Sequence, residues 1–395
     1  MSDVMNLMQG APPTPDRQVT VADWRAPGVC RWSFSHVRQL LPTAPMPPAT
    51  GPAPLPEARQ DLSGLKVDEA GTGLGDFLRV NATDAFVVLH RGRLVHEWYG
   101  GWGAPDRQHI IFSISKSLTA LLAGVLAGEG VLESDRPVTD YLPELTGSAY
   151  ETATLRHVLD MTVASAFSEE YLDQDGIFMA YRRAAAWNPP EEGASSEGLR
   201  SFLARLPASN GAHGERFHYC SPHSDLLGWI VERAAGDSFP ALMSRHLMQP
   251  AGLASEAYIT LDTFGAPRAA GGICLTATDL ARLGEMVRCG GAVGARQVVP
   301  EAWIADMKTH DTRAAWLAQP DGPRHFLDGC YRSKWYQTGL PDDEICGIGI
   351  HGQWLWINPA RQVVIVHLAS QDAPTDPDNR PGLIAMLRAT SRALG

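Results

Sequence analysis

An apolar run over residues 118–127 begins one residue after the segment Phe112-Ser113-Ile114-Ser115-Lys116. The run is rich in Ala and Leu and is longer than a typical strand, so it predicts a buried helix that begins near Ser113. Residues three apart are neighbours on a helix, which brings the Ser113 hydroxyl to the Lys116 amine. The fold must therefore bury this helix and keep a serine and a lysine together at its N-terminus.

This pairing is typical of a nucleophile beside a base. A serine hydroxyl is a weak nucleophile at its free pKa and needs such a neighbour. The free N–H groups of the first helical turn can stabilise an oxyanion, and burial together with the helix dipole lowers the pKa of Lys116. The alternative interpretation is a helix-capping serine beside a solvated lysine. Companion motifs must decide between the two.

Two further segments carry candidate chemistry. Tyr219 and Ser221 lie on a loop before an amphipathic helix, where a phenol positioned by a lysine could transfer protons between the nucleophile and the leaving group. The segment 347–353, Gly-Ile-Gly-Ile-His-Gly-Gln, precedes a strand, and its glycines allow close approach to a substrate. A backbone N–H there could complete an oxyanion hole. Loop packing, a tight turn and a structural role for His351 are the alternatives.

In this order, the motifs Ser-x-x-Lys, Tyr-x-Ser and the Gly-containing strand resemble the serine β-lactamase and penicillin-binding-protein family. The segment 154–161 is similar to the Arg-His-Leu-Leu segment of its class C β-lactamase and esterase branch. The third motif departs from the family pattern because it has no Lys-Thr-Gly. The lysine that helps to hold the substrate carboxylate in β-lactamases therefore has no counterpart, which favours other esters or amides as substrates.

Within the family, the chain resembles the 6-aminohexanoate-dimer (nylon-oligomer) hydrolases and their carboxylesterase relatives. The matching pieces are 113–117, 170–173, 219–221, 271–277 and 347–353. The resemblance implies that the backbone N–H groups of Ser113 and Ile350 form the oxyanion hole. It implies substrate-binding positions at Tyr171, Trp187, Arg182, Ala270 and His351. Arg182 and Ala270 stand where an Asp and an Asn favour amide-dimer hydrolysis in that group, so esterase activity is the safer expectation.

The order of elements predicts an α+β fold, an antiparallel β-sheet flanked by helices with an inserted helical region. Residues 1–60 are rich in proline and are expected to form an extended arm. Residues 61–112 and 290–395 are expected to form the sheet region, and 113–289 a mainly helical region. The active site is expected between the last two.

Composition narrows the classes of partner. The net charge of −11 argues against nucleic acid or an anionic membrane as the main partner and leaves a small-molecule ester or amide. The six cysteines are scattered without a Cys-x-x-Cys pair, and the histidines show no metal-ligand spacing, so neither a metal nor another cofactor is predicted. No secretory signal or membrane span is evident, and we expect a cytoplasmic protein. A homodimer is left open.

These features lead to one hypothesis with two rivals. The chain is expected to be a metal-free serine hydrolase that forms an acyl-enzyme on Ser113, with Lys116 and Tyr219 as the proton-transfer pair. The sequence leaves open which of the two is the immediate base. A β-lactamase or D-amino-acid peptidase is the rival among enzymes, and a catalytically silent binding protein on the same fold is the rival from another class.

Overall fold

The computed structural model describes residues 6–173, 175–195, 197–319 and 325–395. The helices are α1 (Cys30–Ser33), α2 (Leu74–Val80), α3 (Ile114–Gly128), α4 (Val138–Tyr141), α5 (Leu155–Leu159), α6 (Ile177–Ala184), α7 (Leu199–Ala204), α8 (Pro222–Ala235), α9 (Phe239–Leu242), α10 (Ala277–Arg288), α11 (Glu301–Asp306), α12 (Arg313–Leu317) and α13 (Arg380–Leu394). The strands are β1 (Thr43–Met46), β2 (Thr83–His90), β3 (Arg93–Tyr99), β4 (His109–Ile110), β5 (Ala257–Thr260), β6 (Ile273–Leu275), β7 (Ala292–Val293), β8 (Arg296–Gln297), β9 (Cys330–Arg332), β10 (Trp335–Gln337), β11 (Ile345–Gly349), β12 (Gln353–Asn358) and β13 (Val363–Ala369). Helices alternate with antiparallel sheets, which confirms the predicted α+β class. In the described ranges, no helix is both long and apolar enough to cross a membrane.

A seven-stranded antiparallel sheet forms the larger layer, in the order β3-β2-β13-β12-β11-β10-β9. The interior strand β13 pairs with β2 and β12, and all of its residues are buried. Helix α10 packs against β2, β12 and β13, and α13 also packs on β13. Gly284 allows α10 to approach closely, because a Cβ there would lie 2.7 Å from Val364 Cγ1. Cover on two sides explains why these strands are continuous apolar runs rather than alternating ones.

A second sheet, in the order β1-β5-β6-β4, joins distant parts of the chain. Strands β5 and β6 lie within residues 113–289, which were expected to be mainly helical, and β5 pairs with β1 of the N-terminal segment. These strands have only three or four residues, too few to show a period of two in the sequence. Their pairing partners, far away in the chain, stabilise them instead.

The proline-rich N-terminal segment packs onto the body of the protein. Its aromatic side chains Trp24, Trp32 and Phe34 are buried, and Trp24 Nε1 donates to the Trp187 carbonyl at 3.1 Å. The segment also supplies strand β1, which pairs antiparallel with β5. This segment thus contributes walls to the region around Ser113.

Candidate active site

Ser113 lies at a sharp turn between β4 and α3. Phe112 before it has a positive φ of 43°, an uncommon conformation for a bulky residue that needs support from its surroundings. Phe34 packs edge-on against the Phe112 ring at 4.9 Å between centroids. Ser113 occupies the N-cap position of α3, yet its side chain makes no capping hydrogen bond. The hydroxyl is therefore left for other partners.

Lys116 is the partner of that hydroxyl. Its Nζ lies 2.7 Å from Ser113 Oγ and 2.8 Å from the carbonyl oxygen of Ala270. The side chain is about 1% exposed, and burial lowers the pKa of the amine to about 8, while the nearby Glu169 carboxylate opposes the shift. An amine with this pKa is neutral in about one molecule in ten at pH 7, far more often than an ordinary lysine, and the neutral form can accept a proton from Ser113.

Tyr219 completes the group of titratable side chains around the nucleophile. It lies on the loop before α8, which begins with Pro222 at a position that favours the start of a helix. Lys116 Nζ lies 5.0 Å from the centre of the Tyr219 ring. Burial and the Glu169 charge raise the pKa of the phenol, whereas a hydrogen bond with Ser113 lowers it. The phenol is thus protonated at neutral pH and suited to donate a proton.

Glu169 links Ser221 to Tyr171 beside these residues. Its carboxylate accepts from Ser221 Oγ at 2.7 Å, from the Ser221 backbone N–H at 2.6 Å and from the Tyr171 hydroxyl at 2.8 Å. These bonds hold the start of α8, and with it the loop that carries Tyr219. The charge of Glu169 also favours a proton on both Lys116 and Tyr219.

Asp225 on α8 holds the backbone that faces Lys116. Its Oδ1 accepts from the Ala270 N–H at 2.7 Å, and its Oδ2 pairs with Arg268 and accepts from the Tyr181 hydroxyl. The Ala270 peptide is thereby fixed with its carbonyl toward Lys116 Nζ. A buried charge pair that also satisfies backbone groups is typical of a rigid support.

The candidate oxyanion donors come from two separate elements. The Ser113 N–H precedes the first turn of α3, so no intrahelical carbonyl accepts from it. Ile350 directly follows β11, and both residues line the two cavities described next. His351 lies behind this wall, contrary to the expected substrate contact. It is 3% exposed, packs on Phe34 and Phe112, and its Nδ1 lies 2.6 Å from the Gln371 carbonyl.

Two cavities meet at Ser113. The larger has a volume of about 550 Å³ and includes aromatic walls from Phe217, Tyr219 and Trp316. The smaller has a volume of about 20 Å³, enough for a small polar group. The larger cavity can accept an extended apolar group, since aromatic and aliphatic walls dominate such sites.

The smaller cavity gathers four of the expected substrate-binding residues. It is lined by Tyr171, Arg182, Trp187 and Ala270 together with Ser113 and Lys116. Trp187 is fixed by a hydrogen bond from its Nε1 to Thr260 Oγ1 at 3.1 Å. The structure thus brings together all of the residues singled out from the sequence except His351.

Sequence reasoning missed several residues of the site. Glu169, Arg25 and Arg268 line the smaller cavity, and Asp225 supports it. They belong to no short motif, and Arg25 comes from the N-terminal segment. The one available signal was the position of Glu169 beside Tyr171. Across the described ranges, no group of three or more His, Cys, Asp or Glu side chains is placed to hold a metal ion.

Comparison with known proteins agrees with this geometry. A family model described as Beta-lactamase matches residues 79–388. The chain is 35% identical to a 6-aminohexanoate-dimer hydrolase of Paenarthrobacter ureafaciens, over 91% of this chain and 90% of that protein. It is also 30% identical to Esterase EstB of Burkholderia gladioli, over 40% of this chain and 41% of the esterase.

Solved structures share the same fold. A Bacillus anthracis protein that carries the name 6-aminohexanoate-dimer hydrolase superposes with a TM-score of 0.87 at 23% identity, covering 97% of this chain and 99% of its own. A family VIII carboxylesterase gives a TM-score of 0.62 at 17% identity, covering 81% of this chain and 95% of its own. The family match and the arrangement around Ser113 lead to the same conclusion: this chain belongs to the beta-lactamase family of serine hydrolases.

Proposed function

We propose that the protein hydrolyses small carboxylic esters, and linear amides such as 6-aminohexanoate oligomers, through an acyl-enzyme on Ser113. One observation carries the proposal: Lys116 Nζ lies 2.7 Å from Ser113 Oγ at the meeting point of two cavities. The pKa of about 8 makes the base form of this amine accessible near neutral pH and predominant above pH 8. A silent binding protein would not need a buried amine in this position.

Acylation follows from the positions of four groups. Ser113 Oγ attacks the substrate carbonyl carbon and passes its proton to the coupled pair of Lys116 and Tyr219, in which the neutral Lys116 amine is the group with room for it. The N–H groups of Ser113 and Ile350 stabilise the oxyanion. The bond to the leaving group then breaks, and an amine or alcohol leaves with a proton that Tyr219 supplies and recovers from protonated Lys116. Water then gives a proton to the same pair and attacks the acyl carbonyl carbon. The bond to Ser113 Oγ breaks, Ser113 recovers its proton, and the acid is released.

The names of two relatives point to different classes of substrate. The name of the Paenarthrobacter ureafaciens relative supports an amide dimer, and that of EstB supports an ester. Arg182 and Ala270 stand where the resembling amide hydrolases favour an Asp and an Asn. Ester hydrolysis is therefore the first activity to measure. A cytoplasmic location and a homodimer stay predictions.

The experiment is to quench the protein during turnover of an activated short-chain p-nitrophenyl ester. Mass spectrometry of its peptides should find the acyl group on Ser113, and Ser113→Ala should lose both adduct and turnover. Ser117→Ala is the matched control, because Ser117 lies one turn further along α3 and donates to the Lys334 carbonyl at 2.8 Å. Turnover that survives in Ser113→Ala, with no adduct in the parent protein, would disprove the proposal.

A substrate panel distinguishes the rivals. p-Nitrophenyl esters, 6-aminohexanoate oligomers, D-peptides and nitrocefin should be compared with one enzyme preparation. We expect the highest kcat/KM for an ester. Nitrocefin turnover comparable with ester turnover would favour a β-lactamase instead, and cleavage of D-peptides alone would favour a peptidase.

A further inference from the structure

Three arginine side chains surround the smaller cavity beside Ser113. Arg25 comes from the N-terminal segment, Arg182 from α6 and Arg268 from the loop between β5 and β6. Arg182 and Arg268 are 7% and 4% exposed. Such a concentration of buried guanidinium groups is costly unless anions balance it. The partners of each group therefore indicate what the cavity can bind.

Only one of the three guanidinium groups has a carboxylate partner in the described part of the chain. Arg268 pairs with Asp225. Arg25 Nη2 donates to the neutral Asn188 Oδ1 at 2.6 Å. Arg182 Nη2 donates to the Asp173 backbone carbonyl at 3.0 Å. In the described ranges no carboxylate forms an ion pair with Arg25 or Arg182, and the charge of Asp173 only partly offsets the burial of Arg182.

The acidic residue that lines the cavity is already engaged. Both carboxylate oxygens of Glu169 accept hydrogen bonds from Ser221, and one also accepts from Tyr171. Burial lowers the pKa of Arg25 to about 9, and repulsion from the charges of Arg182 and Arg268 contributes to this shift. An added anion would relieve this repulsion.

Each of these arginines also has an unsatisfied donor. The Nε atoms of Arg25, Arg182 and Arg268 are buried and have no hydrogen-bond partner in the described structure. Unsatisfied buried donors add to the cost of burying these guanidinium groups, which a nearby anion would offset. A carboxylate accepts from guanidinium groups with favourable geometry, so it fits the charge of this cluster.

The lining of the two cavities indicates which cavity holds the leaving group and which holds the end of the acyl group. Tyr219, the expected proton donor to the leaving group, lines the larger cavity and is absent from the lining of the smaller one. The leaving group therefore belongs in the larger cavity. The acyl chain runs past Tyr171, which lines both cavities, and only its terminal group enters the smaller cavity of about 20 Å³ near Arg25 and Arg182. Ser113 and Ile350 line both cavities and hold the reacting carbonyl between them.

We propose that the acyl group of the substrate carries a carboxylate that binds to Arg25 and Arg182, so that half-esters or half-amides of dicarboxylic acids are the preferred substrates. This inference rests on the proposed function and specifies its substrate class. An ω-amino acyl group, as in 6-aminohexanoate oligomers, would bring an ammonium toward the two arginines and is disfavoured.

The test compares three p-nitrophenyl esters of similar shape, with enzyme-free hydrolysis subtracted. The adipate half-ester carries a terminal carboxylate, the 6-methylheptanoate ester is its neutral isostere, and the 6-aminohexanoate ester carries a cation. Hydrogen bonds to charged groups are strong enough for about a tenfold or larger effect. We therefore expect kcat/KM to be at least about tenfold higher for the half-ester than for the neutral ester.

Substitutions then locate the preference. Arg182→Met and Arg25→Met should each lower the ratio of anionic to neutral turnover, and Arg182→Asp should shift preference toward the 6-aminohexanoate ester. The ratio does not depend on the fraction of folded enzyme. Arg183→Met is the matched control, because Arg183 adjoins Arg182 but pairs with Glu191 away from the cavity, and it should leave the ratio unchanged.

Two outcomes would overturn the inference while the proposed function stands. One is neutral-ester turnover with an acyl adduct on Ser113 but no preference for the half-ester. The other is a preference that survives in both Met variants. If no ester is turned over, calorimetric titration of monomethyl adipate into Ser113→Ala decides independently. Binding weakened by the added Arg182→Met change supports the anion site, and absence of binding refutes it.

Discussion

Lys116 and Lys334 are both buried lysines, each about 1% exposed, and burial lowers the pKa of both amines. Lys116 Nζ contacts a serine hydroxyl at the edge of two cavities. Lys334 lies in the tight turn between β9 and β10, and its Nζ donates to the Val158 carbonyl at 2.5 Å. Neither cavity, as lined by described residues, includes Lys334. Burial alone thus changes an amine's pKa, whereas reactivity also needs a nucleophile and space for a substrate.

The largest expected effect comes from removing the amine next to Ser113. Lys116→Ala should slow acylation by about 10²- to 10⁴-fold, because a general base contributes this much. Stopped-flow release of p-nitrophenol measures the rate, and circular dichroism checks folding. Lys334→Met is the control and should acylate at nearly the parent rate. If Lys116→Ala kept more than about a tenth of that rate, the base would lie elsewhere.

The next prediction concerns Tyr219, whose phenol ring lies beside Lys116. It tests whether this phenol acts together with the Lys116 amine. Tyr219→Phe keeps the ring but removes the proton donor, and an amine leaving group needs that proton far more than p-nitrophenolate does. Amide hydrolysis should therefore fall by a larger factor than ester hydrolysis. Parallel assays of 6-aminohexanoate dimer and p-nitrophenyl acetate measure both factors.

Tyr331→Phe provides the matched control for this change, since its ring lies 6.4 Å from that of Tyr219 between centroids. It should alter both activities equally or not at all. A measurable amide rate that falls no further than the ester rate in Tyr219→Phe would contradict the leaving-group role.

A smaller effect is expected from pH. Lys116 accepts a proton only in its neutral form, and its pKa is about 8. The kcat/KM for an ester should therefore rise about tenfold per pH unit well below pH 8 and level off above it. Initial rates from pH 6 to 9.5 give the profile. If the rise of kcat/KM with pH persisted unchanged in Lys116→Ala, the titrating group would be a different one.

The smallest kinetic effect is expected from Lys334. Burial and the charge of Lys116 lower the pKa of Lys334 well below its usual value, which favours a neutral amine that leaves the pKa of Lys116 unaltered. Lys334→Met should leave the apparent pKa near 8 in the pH profile of kcat/KM unchanged. A higher apparent pKa in this variant would show that Lys334 carries charge and lowers the pKa of Lys116 through repulsion.

The same variant has a thermodynamic signature. Between the folded pKa of Lys334 and its unfolded value, the unfolded chain holds a proton that the folded protein lacks, so unfolding free energy rises with pH. Lys334→Met removes up to about 1.4 kcal/mol per pH unit from that slope. Urea unfolding of both proteins at several pH values measures the difference.

Much of the fold was predictable where elements are local. The hairpin of β2 and β3 follows from two apolar runs around Arg91-Gly92, both of which have positive φ. Within the region expected to be mainly helical, α9 is followed by a π-helical turn over Met243–Met248, a variation with no sequence signal. The sheet of β1, β5, β6 and β4 was missed because its short strands depend on distant partners.

The approach of Ser113 to Lys116 was determined by sequence alone, since residues three apart on a helix meet wherever the helix is placed. The tertiary structure decided the surroundings. Lys116 meets a carbonyl 154 positions away, and Arg25 meets Asn188 across 163 positions. Such contacts depend on how sheets and helices pack, and no short segment encodes them. The same packing removes Lys116 from water and so sets the pKa on which its chemistry depends.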